Sequence, residues 1–209
     1  MKYLDIENSL IKLKPIFSVK DIELAGFKIF PYQLSKWVKD GYIKRLGAGL
    51  YLFSKAEVTA EFVANHLRQP SYVSLEYALY YYNFMVDISF HITSITTKGT
   101  KNIIVGDKTY FYHHIKPAVF DGFVVEDLSN GKDVGKRFYI ATQEKALVDL
   151  FYLKPSGFKN IHDFVEARFH EEEMKSKIDW CGVFSLASLY KNKSLEKRLQ
   201  DFKDYIFSC

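Results

Sequence analysis

The sequence predicts an α+β fold, in which helices flank a strand-rich middle region. Hydrophobic residues make up 48% of the 209-residue chain, which is enough for a packed core. The chain also contains 15 Tyr and 18 Phe, many of them in runs that are typical of strands. Near both termini, by contrast, apolar residues recur at helical spacing. We therefore expect an N-terminal helical module, a sheet in the middle and a helical C-terminal part.

Two short helices are predicted at the start of the chain. The first is expected over residues 3–13, where apolar residues follow a helical period until Pro15 stops the helix. The second begins at Ser18 and Asp21, which have the S-x-x-D spacing of a capping box. Gly26 is expected to end this helix, because glycine readily adopts the left-handed conformation found there.

A third helix is predicted over residues 31–40. Pro31 suits its first turn, because the backbone N–H that proline lacks would be unpaired there. Apolar residues then share one face of the helix before Gly41 ends it. We expect this face, which consists of Leu34, Trp37 and Val38, to point into the core.

A basic hairpin is predicted directly after the third helix. Residues 42–46 and 50–53 have the pattern of strands, and a turn at 47–49 contains two glycines. Lys44 and Arg45 make the first strand basic. Three helices followed by a basic hairpin are typical of a winged helix-turn-helix, a DNA-binding module in which the hairpin is called the wing.

A mixed second domain is predicted after a connecting helix. Ser74 is expected to cap the first helix of this domain. Glycine-containing turns separate the strand candidates that follow, which predicts a mostly antiparallel sheet. Those candidates are residues 89–97, 101–105, 108–115, 120–126 and 136–141. A helix starting at 142–144 and a helical tail over 160–207, with its last helix capped at Ser194, complete the prediction. The predicted domains are a winged helix-turn-helix over 1–55, a connecting helix over 56–70 and an α+β domain over 71–209.

Positive charge is concentrated at the start of the chain. Residues 1–58 hold ten Lys or Arg and six acidic residues, whereas the remaining residues hold nineteen of each. A polyanion is the natural partner of such a region. A solvated basic surface without a partner is the alternative interpretation.

The third helix and the wing supply the candidate DNA-binding residues. Gln33 is the best candidate for contacting a base, because its amide can form two hydrogen bonds with adenine. The basic side chains are expected to bind phosphates. The complete set is Tyr32, Gln33, Lys36, Lys39, Lys44 and Arg45.

No group of residues predicts catalysis, a metal site or a cofactor. His113 and His114 are adjacent on a predicted strand, so their imidazoles point to opposite faces and cannot easily share an ion. His170 precedes three glutamates, but a charge run in a helical region is usually a solvated face. The sequence contains no glycine-rich phosphate loop, GxSxG elbow or spaced Cys/His set. We therefore predict that the protein is not an enzyme.

The sequence predicts a cytoplasmic protein. Asp5 and Glu7 occupy positions where a signal peptide needs a basic start and an apolar stretch, and no apolar run is long enough to span a bilayer. Cys181 and Cys209 are far apart and form no CxxC pair, which fits a reducing compartment.

Four segments in this order resemble a known family. They are GYIKRLGAGLYLF in the wing, QPSYVSLEYALYYYNF after the connecting helix, YFYHHI in the strand-rich middle and FYIATQEKALVDLFYL before the helical tail. On these segments, the chain from about residue 15 to about residue 155 resembles the AbiEi-type antitoxins of type IV toxin-antitoxin systems, which act in abortive infection and phage defence.

The resemblance implies a DNA-binding domain that represses the protein's own operon. It also implies an antitoxin domain that opposes a nucleotidyltransferase-like toxin encoded beside it. The recognition helix and wing carry Gln33, Lys36, Lys44 and Arg45, but the family pattern has a second basic residue near Ala48. The C-terminal motif carries Glu144, Lys145 and Asp149. Two copies on inverted half-sites would be a natural arrangement, although the sequence identifies no dimer interface.

Three alternatives remain open at this point. Lys145 and Asp149 are four residues apart, so they are expected to form an exposed structural ion pair worth only ~0.3 kcal/mol. The whole chain could be a ligand-responsive winged-helix transcription regulator without a toxin partner. An enzyme with an accessory DNA-binding domain is the third alternative, and the absence of an acid, base or nucleophile set argues against it.

Overall fold

The computed structural model describes residues 3–86 and 91–208, which fold into two units. The chain passes from the first unit to the second after Gln69, returns to the first after Val124, and enters the second again after Phe138. The sequence predicts that the second domain is one continuous segment, residues 71–209. In the structure, residues 125–138 group with the first unit instead.

The described part of the first unit contains four α-helices and a three-stranded antiparallel sheet of order β1-β3-β2. The short strand β1 was not predicted, because three residues are too few to show a strand period. Its residues pair with β3 through contacts such as Ile16 with Leu52. The elements are α1 (Tyr3–Leu10), β1 (Ile16–Ser18), α2 (Val19–Leu24), α3 (Pro31–Lys39), β2 (Ile43–Gly47), β3 (Leu50–Phe53) and α4 (Ala60–Leu67).

The predicted helix and turn signals are confirmed in this unit. Ser18 and Asp21 form the capping box of α2, and Gly26 follows the helix at φ +85°. Pro31 opens α3. In the hairpin turn, Gly47, Ala48 and Gly49 all have positive φ.

The core of the first unit is formed by one face of each of the first three helices and by the sheet. Three residues of α3 were predicted to face the core. Leu34 and Trp37 are buried in it, and Val38 packs at its margin. Since this face of α3 is buried, the opposite face is left for solvent. The buried cluster is Ile6, Leu10, Phe17, Ile22, Leu34, Trp37, Ile43 and Phe53.

The second unit is built around a six-stranded mixed sheet of order β6-β7-β5-β4-β9-β8. The chain leaves this unit within β8 and returns to it within β9. All five predicted strands form, and β4 is an additional short strand. The strands are β4 (Ser71–Val73), β5 (Ile92–Thr96), β6 (Lys101–Val105), β7 (Lys108–His114), β8 (Phe123–Asp127) and β9 (Arg137–Ala141). The start of the predicted strand 89–97 extends outside the described residues.

The predicted antiparallel pairing is confirmed for β4 with β5 and for β6 with β7, but it is wrong for two other pairs of this sheet. The β6–β7 hairpin places β7 directly beside β5, so these two strands run parallel, and β4 is parallel to β9. Hairpin signals fix which neighbouring strands pair with each other, but they do not fix where a whole hairpin docks.

Helices complete the second unit, and α6 lies at its centre. Its residues 145–151 are all buried. The C-terminal helix buries Leu195, Leu199, Phe202 and Ile206 as predicted. The helices are α5 (Leu75–Tyr81), α6 (Gln143–Leu153), α7 (Ile161–Glu166), α8 (Glu171–Lys177), α9 (Trp180–Ser188) and α10 (Lys193–Ser208).

Two predicted helix caps differ in the structure. Ser74 precedes α5 but makes no side-chain capping bond, and its hydroxyl donates to Asp149 instead. At α10 the cap is Asn192, whose side chain accepts a hydrogen bond from the Leu195 N–H, rather than Ser194. Within the described ranges, no helix is both long and apolar enough to cross a bilayer.

Candidate functional sites

The solvent face of α3 carries a stripe of polar and aromatic side chains. Tyr32, Ser35, Lys36 and Lys39 are all exposed. They occupy positions i, i+3, i+4 and i+7, which lie on one face of a helix. Leu34 and Trp37 fill the core on the opposite face, so packing holds this stripe toward solvent.

The hairpin adds two further basic side chains to this unit. Lys44 and Arg45 of β2 are both exposed, between the buried Ile43 and Leu46. Within residues 3–86 and 91–208, these two side chains and the α3 lysines make no ion pair or side-chain hydrogen bond. Their charge is therefore not neutralised by the described part of the chain.

Gln33 occupies a different position from the other candidates. It is only partly exposed, and its Oε1 accepts a hydrogen bond from the Phe30 backbone N–H at 3.0 Å. The Gln33 backbone N–H in turn donates to the Phe30 carbonyl at 2.9 Å. The side chain thus closes the first turn of α3, and its carbonyl oxygen keeps one lone pair for a further hydrogen bond.

Aromatic rings lie at the N-terminal end of α3. The rings of Phe30 and Tyr32 are stacked, with their centroids 6.1 Å apart and an interplanar angle of 15°. The Lys28 ammonium lies 5.7 Å from the centroid of the Phe30 ring. Tyr32 was predicted from the sequence but Phe30 was not, because a residue that precedes a helix has no helical period to mark its face.

The second unit contains a buried ion pair between Lys145 and Asp149. The prediction that this pair is exposed is wrong, because the two side chains are only 1% and 0% exposed. The spacing of four residues on α6 does bring them together as expected. Burial changes their energetics, since a charge in the interior needs a full set of partners.

Four donors satisfy the buried Asp149 carboxylate. Tyr72 and Ser74 donate to Oδ2, each at 2.9 Å, and Tyr190 donates to Oδ1 at 2.7 Å. The Lys145 ammonium also donates to Oδ1. Because a carboxylate offers about four acceptor positions, this set occupies all of them.

The Lys145 ammonium is enclosed by polar and aromatic groups. It donates to the Tyr190 hydroxyl as well as to Asp149, and lies 5.0 Å from the Tyr190 ring centroid and 5.7 Å from the Tyr72 ring centroid. Gly122 packs against the aliphatic part of the lysine, where an added Cβ would lie 3.1 Å from its Cγ and Cδ. These contacts join α6 to β4 and to the segment after α9.

The hydroxyl donors are held in their protonated form. Burial raises the pKa of the Tyr72 phenol far above its ordinary value, and the Asp149 charge raises it further. The pKa of Tyr190 is raised by the same two causes. A protonated phenol can donate to Asp149, whereas a phenolate would place a second negative charge beside it.

Glu144 lies outside this network. It is partly exposed, and its Oε1 accepts a hydrogen bond from the Asp179 N–H at 3.3 Å, just before α9. The three motif residues therefore do not form one surface. Glu144 faces α9, whereas Lys145 and Asp149 are closed to solvent.

The histidines considered as metal ligands have other neighbours. His113 is partly buried, and burial together with the Lys154 charge lowers its pKa, against the effect of Glu76. His114 is exposed, with Nδ1 3.3 Å from the Lys98 carbonyl oxygen.

The acidic run after His170 is paired within its own helix and with α10. Glu172 and Glu173 form ion pairs with lysines of α8, and Glu171 accepts a hydrogen bond from Tyr205. The His170 Nδ1 atom lies 2.9 Å from the Asn83 carbonyl oxygen.

Among the described residues, one group of three side chains has a spacing that suits a metal ion. It consists of His162, Asp163 and Glu166 of α7, whose ligand atoms lie within 4.8 Å of one another. Asp163 already accepts hydrogen bonds from two backbone amides, at Lys159 and Asn160, so its carboxylate has a capping role. Asn160 and Asp163 have the spacing of a capping box, a sequence signal that the prediction did not use.

A scan against protein-family models finds no model that matches this chain, and a search of curated proteins finds no match either.

Proposed function

We propose that this chain is a DNA-binding antitoxin that represses its own toxin-antitoxin operon. Its first unit acts as a winged helix-turn-helix, with α3 as the recognition helix and the β2–β3 hairpin as the wing. Two supporting features are the order of three helices with a three-stranded sheet and the direct passage from α3 into the hairpin.

The observation that carries this proposal is the set of exposed cations on α3 and β2. Lys36, Lys39, Lys44 and Arg45 have no ion-pair partner within the described ranges, so they are available for an external anion. Double-stranded DNA is a polyanion, and lysine or arginine side chains that bind its phosphates release counterions. The recognition helix then enters the major groove while the wing contacts the backbone.

The experiment that tests DNA binding is fluorescence anisotropy on a labelled duplex from upstream of the gene. The wild-type protein is expected to prefer this duplex to a scrambled one of equal length. The variant Lys36→Ala/Arg45→Ala is expected to lose most of its affinity. A charge-matched control, Lys101→Ala/Lys108→Ala in the second unit, removes two exposed lysines and is expected to bind as the wild type does. Equal binding by all three proteins would reject the proposal.

We further propose that the second unit neutralises a nucleotidyltransferase-like toxin encoded beside the gene, in the cytoplasm. Support comes from the family resemblance of the segments around β4 and α6. These segments meet in the structure, where Tyr72 and Ser74 both donate to Asp149.

Toxin neutralisation is tested by co-expression with the neighbouring gene. The wild-type protein is expected to restore growth. The variant Lys36→Ala/Arg45→Ala, which is expected to bind DNA weakly, should also restore growth because its second unit is unchanged. Failure of both proteins to restore growth would reject the antitoxin role. In that case, a thermal shift on addition of small metabolites would favour a ligand-responsive regulator instead.

A further inference from the structure

Two aromatic side chains at the start of α3 are exposed. Phe30 is 49% exposed and Tyr32 is 68% exposed, although large aromatic side chains usually bury most of their surface. They form one stacked patch, so this is a continuous apolar surface and not two isolated rings. Exposed apolar patches with charged neighbours are typical of binding sites.

The patch is continuous with the basic stripe of α3. Tyr32 is the first residue of that stripe, and Lys36 and Lys39 follow one and two turns later on the same face. When a recognition helix enters the major groove, its N-terminal residues contact the base edges. On this helix, the aromatic end would meet the bases while the lysines meet phosphates.

The chemistry of the patch limits what it can recognise. The one predicted base-contacting amide, that of Gln33, has its oxygen bonded to the Phe30 N–H. Next to it, the exposed surface of Phe30 and Tyr32 is mostly apolar. The apolar group that a base presents in the major groove is the C5 methyl of thymine.

We propose that Phe30 and Tyr32 recognise thymine methyl groups in the major groove. This inference rests on the proposed DNA binding by the first unit, and it names the base feature that the unit selects. Lys28, beside the Phe30 ring, supplies a positive charge for the adjacent phosphate.

Replacing thymine by uracil in the duplex from upstream of the gene tests the proposal. Uracil pairs as thymine does but lacks the methyl group. Wild-type protein is expected to bind the uracil duplex about three- to fourfold more weakly for each methyl that it contacts. Scrambled duplexes containing thymine or uracil control for changes in DNA stiffness.

Variants of the patch make the assignment specific. The variant Phe30→Ala/Tyr32→Ala is expected to bind the thymine and uracil duplexes equally. The conservative variant Tyr32→Phe retains the ring and is expected to keep the wild-type ratio. The Phe30 backbone N–H that bonds Gln33 is unchanged in these variants, and a melting curve checks that each one folds.

The outcomes separate this inference from the proposed function. If wild-type protein prefers the upstream duplex but binds its thymine and uracil forms equally, DNA binding stands and methyl recognition is wrong. Unequal binding that persists in the double alanine variant also overturns it, because another group would then contact the methyl. If wild-type protein does not prefer the upstream duplex at all, both proposals fail. Self-association of the wild type, lost in the variant and with equal binding of the two duplexes, would identify the patch as a protein interface instead.

Discussion

At the scale of single residues, Asp149 shows how the interior accommodates a charge. Removing a carboxylate from water costs several kcal/mol, and the cost is offset only when every acceptor position is filled. Here an ammonium and three hydroxyl groups provide the donors. The donors come from three parts of the second unit, namely β4 with the residue after it, α6 and the segment after α9, so the network holds these parts in one arrangement.

Replacing Asp149 is therefore expected to destabilise the protein strongly. Asp149→Asn keeps the shape of the side chain but leaves the Lys145 ammonium buried without a counter-charge. We expect a loss of about 3–5 kcal/mol in the free energy of unfolding, measured with urea. The double variant Lys145→Met/Asp149→Leu should lose less, since it leaves no buried charge.

An exposed ion pair provides the matched control. Glu172 and Lys175 are joined at 2.8 Å on α8, and the glutamate side chain is 86% exposed. Glu172→Gln is expected to change the free energy of unfolding by less than about 0.5 kcal/mol. Similar losses for Asp149→Asn and Glu172→Gln would contradict the structural role given to the buried pair.

Because the phenol of Tyr72 is buried, we expect the free energy of unfolding to fall at alkaline pH. Because the folded state raises the pKa of Tyr72 above its value of about 10 in the unfolded chain, folding keeps a proton that the unfolded state loses. The resulting contribution is fully present below about pH 10 and declines as the pH rises above that value. In Tyr72→Phe, the decline above pH 10 should be smaller by about 1.4 kcal/mol per pH unit for this one group. Equal slopes for the two proteins in urea unfolding would show that Tyr72 ionises in the folded state.

At the scale of elements, one glycine allows α6 to pack closely against the segment before β8. Gly122 has φ +77°, and its carbonyl accepts a hydrogen bond from the Thr142 N–H at 2.9 Å. Thr142 is the residue that caps α6. The glycine thus lies between the start of the helix and the stem of Lys145, which is held at its far end by Asp149.

Alanine at this position is expected to cost more than backbone strain alone. In Gly106→Ala, φ is +61° but no atom lies within 4 Å of the added Cβ, so the cost should be about 1–2 kcal/mol. In Gly122→Ala, the Cβ meets a lysine stem that cannot move aside, which adds about 1–3 kcal/mol. The two melting temperatures compare these costs directly. If both variants melt alike, the packing at Gly122 is looser than the structure indicates.

At the scale of the whole molecule, local sequence signals predicted the helices and strands better than they predicted the contacts between distant segments. The capping box at Ser18, the glycine turn of the hairpin and the five middle strands could all be identified, because turn and cap chemistry is local. The docking of the β6–β7 hairpin beside β5 depends on contacts between distant segments. The burial of Lys145 could not be predicted either, since Tyr72 and Tyr190 are far from it in sequence and their hydroxyls carry no pattern.

Among the candidate DNA-binding residues, too, some positions were predicted from the sequence and others were not. The helical period correctly placed Lys36 and Lys39 on the solvent face, because the apolar residues of α3 define the opposite one. Gln33 was assigned from the helical period and from its amide, and its bond to the Phe30 N–H became visible only in the structure. Phe30 precedes the helix, so no period could indicate that it was exposed.

If the exposed cations of α3 and the hairpin bind DNA phosphates, the affinity for DNA depends on salt concentration. The logarithm of the binding constant should fall linearly with the logarithm of salt concentration, by about 0.9 for each phosphate neutralised. For Lys36→Ala/Lys39→Ala/Lys44→Ala/Arg45→Ala, we expect this slope to be shallower by about 3–4 than for the wild type. If the slope of the variant equals that of the wild type, these cations do not bind the phosphates, and the DNA is bound elsewhere on the molecule.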